Sequence, residues 1–359
     1  MKITIFISGV TGGGAEKVAC TIASYMVSKG HEVDLLTMTD EEATYLLDNR
    51  VSRYCLLKEK ERKNFFVNNT IRLVRLVKYL LLNRRDAYLA MLPTNIITIL
   101  SMSFLTSAKV IAAERANPAS YNESKQKKLI ALASKADGWA FQTIEQKKWY
   151  EAHCRLKKTI VISNAINPDV LKQHTSAGQH KTIVTAGRLT NQKNHKLLID
   201  AFSKIADKYK DYNLVIYGEG PNRTKLTEQI TNLKLSNRIL LPGYSPNVML
   251  NVGQASMFVL SSDFEGMPNA LMEAMALGVP SISTDCAGGG ARYLINNGIN
   301  GLLVPVNDVA ALVAAMDRVL SDKEFAKQLG NESHKLCETL APNVIYGQWE
   351  KYIKNIVNS

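Results

Sequence analysis

The chain has 359 residues, 46% of them hydrophobic and 21% charged, which suits two globular domains and excludes a disordered or low-complexity protein. Five cysteines (Cys20, Cys55, Cys154, Cys286, Cys337) are odd in number and form no C-x-x-C pair, so buried thiols are expected rather than disulfides or zinc. The net charge of +12 is lopsided: residues 1–175 carry 26 basic against 16 acidic side chains and the remainder 18 against 16, so the first half faces something anionic.

At the amino terminus the apolar run Ile3 to Ile7 is too short for a cleavable signal. Lys2 to Ser8 reads as a strand, Thr11-Gly12-Gly13-Gly14 as a loop, Ala15 to Lys29 as a helix stopped by Gly30, and His31 to Thr37 as a second strand. A glycine loop between strand and helix lets backbone approach an anion. It is not the dinucleotide fingerprint, because Lys17 occupies the third glycine position, and it lacks the G-K-[ST] of a nucleotide P-loop. A tight turn and an anion site both remain open for it.

Lys58 to Arg85 is the most basic stretch, with nine basic and two acidic residues. Arg72, Arg75 and Lys78 share one helical face, and Leu73, Val74, Leu76, Val77, Leu80 and Leu81 fill most of the rest, after Phe65 and Phe66. One reading is a basic amphipathic helix whose Arg72, Arg75 and Lys78 face an anionic membrane. The other is a core helix with a solvated basic face. No stacking aromatics or motif support nucleic acid. Ala87 to Ala108 is 22 residues without a charge, long enough for a membrane span. Pro93-Thr94-Asn95 breaks it into strand, turn and buried helix.

Lys109 to Ala113 is a strand that ends in Glu114-Arg115-Ala116-Asn117-Pro118. Arg115 is a fixed cation and cannot act as a general base. It is expected either to bind a phosphate or to make a surface ion pair. Helices are expected over Ser124 to Ser134 and Thr143 to Cys154, strands over Asp137 to Gln142 and Thr159 to Ile162, and a polar linker over Val170 to Lys181.

The second half repeats the plan. Strand Thr182–Ala186 leads to Gly187-Arg188 and Lys193, then to a helix from about His195 to Lys210. Strands Asn213 to Tyr217 and Arg238 to Leu241 end in Gly218-Glu219-Gly220-Pro221 and Pro242-Gly243-Tyr244. Strand Met257 to Leu260 leads to Glu265-Gly266-Met267-Pro268, a helix from about Pro268 to Leu277 stopped by Gly278, and strand Val279 to Ser283. A glycine-rich loop, Cys286 to Ala291, precedes helices at about Asp308–Leu320 and Glu324–Glu338 and a terminal run, Asn343 to Val357.

Chemistry concentrates where the Pro268 helix begins. Its first N–H groups lack intrahelical partners and the helix dipole adds positive potential, so the end suits a phosphate. Glu265 and Glu273 frame it, and ionised carboxylates accept hydrogen bonds from sugar hydroxyls. Eight residues of helix separate the two by about 12 Å of rise. That exceeds the span of a glycosidase acid/base pair, so two binding roles are expected. A phosphate beside hydroxyl-gripping groups describes a nucleotide-sugar.

The run EGMPNALME, together with Gly187-Arg188 and Lys193, resembles the signature of retaining glycosyltransferases of family 4, also called group 1. The resemblance spans nearly the whole chain and is strongest from Thr182 to Pro305. It implies the GT-B architecture, two Rossmann-like doubly wound α/β domains facing each other across a cleft: residues 1–168 for the acceptor, 169–342 for the nucleotide-sugar, and a helix at 343–359 crossing back to the first. It implies catalytic roles for Arg188, Lys193 and Glu265, and donor contacts from Gly14, Gly218, Gly243, Gly266, Met267, Pro268 and Glu273. In the family the Arg and Lys hold the donor diphosphate. Glu114 and Arg115 fall on the acceptor side, where many relatives have a histidine, and that departure puts the acceptor-side role in question.

The expected activity is transfer of a sugar, with retention, from a nucleoside diphosphate, UDP above others, to a lipid-linked glycan at the inner face of a membrane. No Asp-x-Asp cation site is evident, so no metal and no cofactor are expected, the nucleotide-sugar being a co-substrate. A non-catalytic accessory subunit and a GT-B epimerase or hydrolase are the alternatives.

Overall fold

A computed structural model describes residues 1–11, 14–40, 47–116, 118, 121–172 and 177–359. Gly12 and Gly13 of the glycine loop, Asn117 and part of the expected linker lie outside the described residues. The chain divides into two compact units, Met1–Asn164 with Asn343–Ser359, and Ala165–Pro342.

The first unit runs β1 (Lys2–Ile7), α1 (Gly14–Ser28), β2 (Glu32–Thr37), β3 (Ser52–Cys55), α2 (Phe65–Leu82), β4 (Ala87–Met91), α3 (Pro93–Ser101), β5 (Lys109–Ala113), α4 (Glu123–Leu132), β6 (Gly138–Phe141), α5 (Ile144–His153) and β7 (Lys158–Val161). All seven strands are parallel, in the order β3-β2-β1-β4-β5-β6-β7. Helices on both faces bury β1 and β4, and their residues read accordingly as near-continuous apolar runs. Order reverses between β1 and β4, and such a switch point is where ligands of open α/β sheets bind. A cavity of about 690 Å³ lies there, lined by Ser8, Gly9 and Thr11 after β1, by Thr94 and Ile97 of α3, and by Arg72 and Leu73 of α2.

The second unit runs α6 (Pro168–Leu171), β8 (His180–Ala186), α7 (His195–Ile205), β9 (Asn213–Tyr217), α8 (Arg223–Asn232), β10 (Ile239–Gly243), α9 (Val248–Gln254), β11 (Ala255–Leu260), α10 (Asn269–Ala276), β12 (Ser281–Thr284), α11 (Gly290–Leu294), β13 (Leu302–Val304), α12 (Val309–Ser321), α13 (Lys323–His334) and α14 (Leu336–Thr339). Its six parallel strands follow the order β10-β9-β8-β11-β12-β13. Here the switch falls between β8 and β11, whose following loops carry Lys193 and Glu265.

The last helix, α15 (Pro342–Val357), belongs with the first unit. Trp349, Ile353 and Ile356 are fully buried, and the Tyr352 hydroxyl lies 3.2 Å from Trp139 O and 2.9 Å from Lys158 O, to either of which its one proton can be given. Gly138 is required beneath it, since a Cβ there would collide with that hydroxyl.

Candidate active site

The loop after β8 is built to aim Lys193. Asn194 adopts a left-handed conformation (φ 43°), caps α7 by accepting from Leu197 N, and donates from Nδ2 to Asp263 Oδ1 at 2.8 Å. Asp263 N donates to Gln192 O at 2.8 Å, Gln192 Nε2 to Phe264 O at 2.9 Å, and Ser261 Oγ to Lys193 O at 3.0 Å. These bonds stitch residues 192–194 to the loop after β11. Lys193 then lies over Gly187, where a Cβ would stand 3.1 Å from its Cε, and its Nζ donates to Glu265 Oε1 at 2.6 Å.

Glu265 is held from three sides. Ser262 Oγ donates to the same Oε1 at 2.7 Å, and Glu265 N donates to Ala287 O at 2.9 Å. The residue is 7% exposed, so its charge is taken from water and balanced chiefly by Lys193. Next to it, α10 begins one residue later than the sequence suggests, with Pro268 as its N-cap and no capping side chain. The first carbonyl bond of the turn is Met272 N to Pro268 O, at 3.0 Å. The N-terminal turn keeps the donor character that suits an anion. Glu273 follows on α10 and is 9% exposed.

Glycines close the site by steric need. A Cβ on Gly290 would run into Gly266 O and stand 2.7 Å from Pro268 Cδ. Gly218 (φ 134°) packs on Gly187 O, its N–H donates to Gly243 O at 2.9 Å, and Leu189 N donates to Glu219 O at 2.9 Å. The loops after β8, β9 and β10 thus lock together, as do those after β11 and β12. Arg188 sits on the first of these loops, exposed and with no ion pair among the described residues. So Arg188, Lys193, Gly218, Gly243, Glu265, Gly266, Met267, Pro268 and Glu273 all belong to the second unit, on or next to the carboxyl edge of its sheet. The contact that ties two predicted catalytic residues directly is Lys193–Glu265. Gly14 opens α1 in the first unit.

His195, which the sequence marks only as the start of a helix, borders the site. It is 3% exposed, its Nδ1 finds no partner, and burial together with the Lys193 charge lowers its pKa to about 4, so it is neutral at physiological pH. The signal available in sequence was its place two residues after Lys193.

Several first-unit expectations need correction. Arg75 is half-exposed but its charge is already paired: its guanidinium donates to both Glu61 oxygens, at 2.6 and 2.8 Å, and to Leu56 O at 3.3 Å. Arg72 donates to Met38 O at 3.2 Å and lines the cavity, so of the three predicted membrane-facing cations only Lys78 is exposed. The long side chains fold back toward acceptors on the body of the domain. Arg115 is neither a surface ion pair nor open to an acceptor: it is 7% exposed, hydrogen-bonded to Asn164, and 6.0 Å from the Trp349 ring. Burial lowers its pKa to about 10. Glu114 is fully buried, and its carboxylate accepts from the Tyr121 and Tyr150 hydroxyls, both at 2.6 Å, and from the N–H groups of Arg115 and Ala116. Burial raises its pKa.

Among the described residues no group of three or more His, Cys, Asp or Glu could hold a metal, and no helix is long and apolar enough to cross a membrane.

Two doubly wound domains with this switch-point site define the GT-B class of fold. The chain superimposes over 99% of its length, with a TM-score of 0.84 and 16% identity, on all of HepE from Anabaena, a structure solved in complex with UDP. Residues 167–336, nearly all of the second unit, match the family described as "Glycosyl transferases group 1". Along its whole length the chain is 26% identical to the whole of a Campylobacter jejuni protein. That relative is named GalNAc-alpha-(1->4)-GalNAc-alpha-(1->3)-diNAcBac-PP-undecaprenol alpha-1,4-N-acetyl-D-galactosaminyltransferase. The chain is also 27% identical, over its whole length, to an exopolysaccharide phosphotransferase of Streptomyces coelicolor, of which it spans 41%.

Proposed function

We propose that the protein is a retaining glycosyltransferase of family 4 that moves a sugar from a nucleoside-diphosphate sugar, UDP-linked, to a lipid-linked glycan during surface polysaccharide assembly. The observation that carries this reading is the Lys193–Glu265 contact beside the open turn of α10. Breaking the anomeric C–O bond leaves negative charge on the diphosphate. Arg188 offers a two-pronged cation, Lys193 a point charge and α10 its N–H groups, and stabilising such developing charge is commonly the largest catalytic contribution. Glu265 and Glu273 accept from hydroxyls of the nucleotide-sugar. With cations supplied by the chain, no divalent metal is required.

UDP is favoured by the HepE structure, and the lipid-linked acceptor by the name of the Campylobacter relative. The enzyme works on the cytoplasmic side, attached peripherally to the inner face of the membrane through its basic first unit. The test is transfer of labelled sugar from UDP-, GDP- and ADP-sugars to a diphospholipid-linked acceptor, with Arg188→Ala, Lys193→Ala and Glu265→Ala alongside. Loss of transfer in each folded variant supports the reading. Full activity in any one, free sugar without transfer, or an isomerised donor counts against it.

A further inference from the structure

Helix α2 is apolar on two sides: Leu76, Tyr79 and Leu80 are its buried residues, and its outer face is apolar as well. Arg72 and Arg75 are half-buried and hydrogen-bonded to the domain, while Phe65, Phe66, Leu73, Val74 and Leu81 are exposed, Phe66 by 80%. Phe104, in the short turn Ser103–Leu105 that packs beside α2, is 79% exposed. Seven of the nineteen exposed large hydrophobic side chains among the described residues fall on α2 and this turn, which together are about a seventeenth of the chain. An apolar face this concentrated marks an interaction surface.

Its rim identifies the occupant. Exposed Lys58, Lys60 and Lys63 precede the helix, and Lys78 and Arg84 lie at its far end. The one acidic side chain of this stretch left outside an ion pair with α2 is Glu59, since Glu61 is taken by Arg75. A second copy of the chain would bring the same cations together and be repelled. An anionic lipid surface satisfies both parts, taking the phenylalanines and leucines below the headgroups and the lysines at their level. Eighteen helical residues span about 27 Å, and no described helix is long and apolar enough to cross a bilayer, so α2 lies flat. Leu73 belongs both to this face and to the wall of the switch-point cavity, so docking here sets that cavity against the lipid surface.

We propose that the outer face of α2, with Phe104, is an anionic-bilayer docking surface that works by inserting apolar side chains, the lysines steering and not carrying it. This deepens the membrane attachment proposed above and rests on it. The test is flotation of the full chain with vesicles of phosphatidylcholine alone or with 30% phosphatidylglycerol, at low and high salt. The Phe65→Ser/Phe66→Ser/Phe104→Ser variant is compared with wild type, and calorimetric UDP binding is followed in both.

Wild type is expected to float with anionic vesicles and to keep part of its binding at high salt. The variant loses about thirtyfold or more in partitioning, with UDP binding and melting temperature unchanged. In a separate Phe66→Trp variant, indole emission shifts to the blue on vesicle addition. If the variant floats like wild type, docking lies elsewhere and the inference falls while membrane attachment stands. If wild type does not float, both fall, and UDP binding still reports on the donor site. Dimers that dissociate on the triple substitution would assign the face to a second copy and overturn it.

Discussion

Replacing Lys193 and Glu265 separately, and reading UDP binding apart from turnover, tests the site most sharply. At 2.6 Å, and with an effective dielectric of about 20, the pair attracts by about 6 kcal/mol, most of it offset by desolvation of two side chains that are 16% and 9% exposed. Lys193→Ala leaves the Glu265 carboxylate with only the Ser262 hydroxyl, and is expected to cost about 3 kcal/mol of stability. It also removes a charged donor to the diphosphate, worth about 1.5–3 kcal/mol, so UDP affinity drops roughly 10- to 150-fold. Glu265→Gln acts in the opposite sense on the nucleotide: it frees Lys193, and UDP binds as tightly as before or tighter. Turnover of the UDP-sugar nevertheless falls by about 10²-fold or more, because the sugar loses an ionised acceptor. Titration calorimetry with UDP, beside steady-state transfer, measures both. If Lys193→Ala binds UDP within threefold of wild type, or Glu265→Gln weakens UDP as much as Lys193→Ala does, the assignment of charge to phosphate and carboxylate to sugar is refuted.

Gly290→Ala drives a methyl into the Gly266 carbonyl, so a folded variant must displace the Glu265 loop; a loss of turnover far greater than its fall in melting temperature is expected, and wild-type kinetics would contradict it. Gly218→Ala meets both a positive φ and the Gly187 carbonyl and should lose roughly 1–3 kcal/mol or more by urea titration. His195, with its pKa lowered from 6.5 to about 4, makes the unfolded state bind more protons between those values. Stability contributed by neutral His195 is therefore present above pH 6.5 and is lost, by about 3 kcal/mol, as pH falls to 4; His195→Gln should flatten that acid limb in pH-dependent melts. Excess EDTA is expected to leave transfer unchanged, and a loss restored by magnesium or manganese would place a metal at the site.

What could be read from sequence tracks how locally each feature is encoded. The buried parallel strands announce themselves as short apolar runs, so β1, β4, β8 and β11 fall where expected, and Pro268 and Gly278 bracket α10. Strand β3 went unseen because Ser52–Cys55 is a short, largely exposed edge, and β13 because three residues carry no period. Helix α8 is polar on most faces and left no apolar stripe to find. Side-chain direction was the harder loss. Spacing put Arg72, Arg75 and Lys78 on one face but could not say which way that face turns, and Glu61, fourteen residues before Arg75, decides it. The burial of Glu114 and Arg115 likewise depends on Tyr150, Asn164 and Trp349, all remote in sequence.

The Tyr352 hydroxyl, seated over Gly138, has a consequence for biogenesis. Residues 1–164 leave the ribosome with one flank of their sheet bare, and the segment that covers it is made only after the whole of 165–342. At translation rates of about 5–20 residues per second, that gap lasts roughly 10–40 seconds. During this wait the flank that Trp349, Ile353 and Ile356 cover stays open to other chains, and truncation before Trp349 would leave it so.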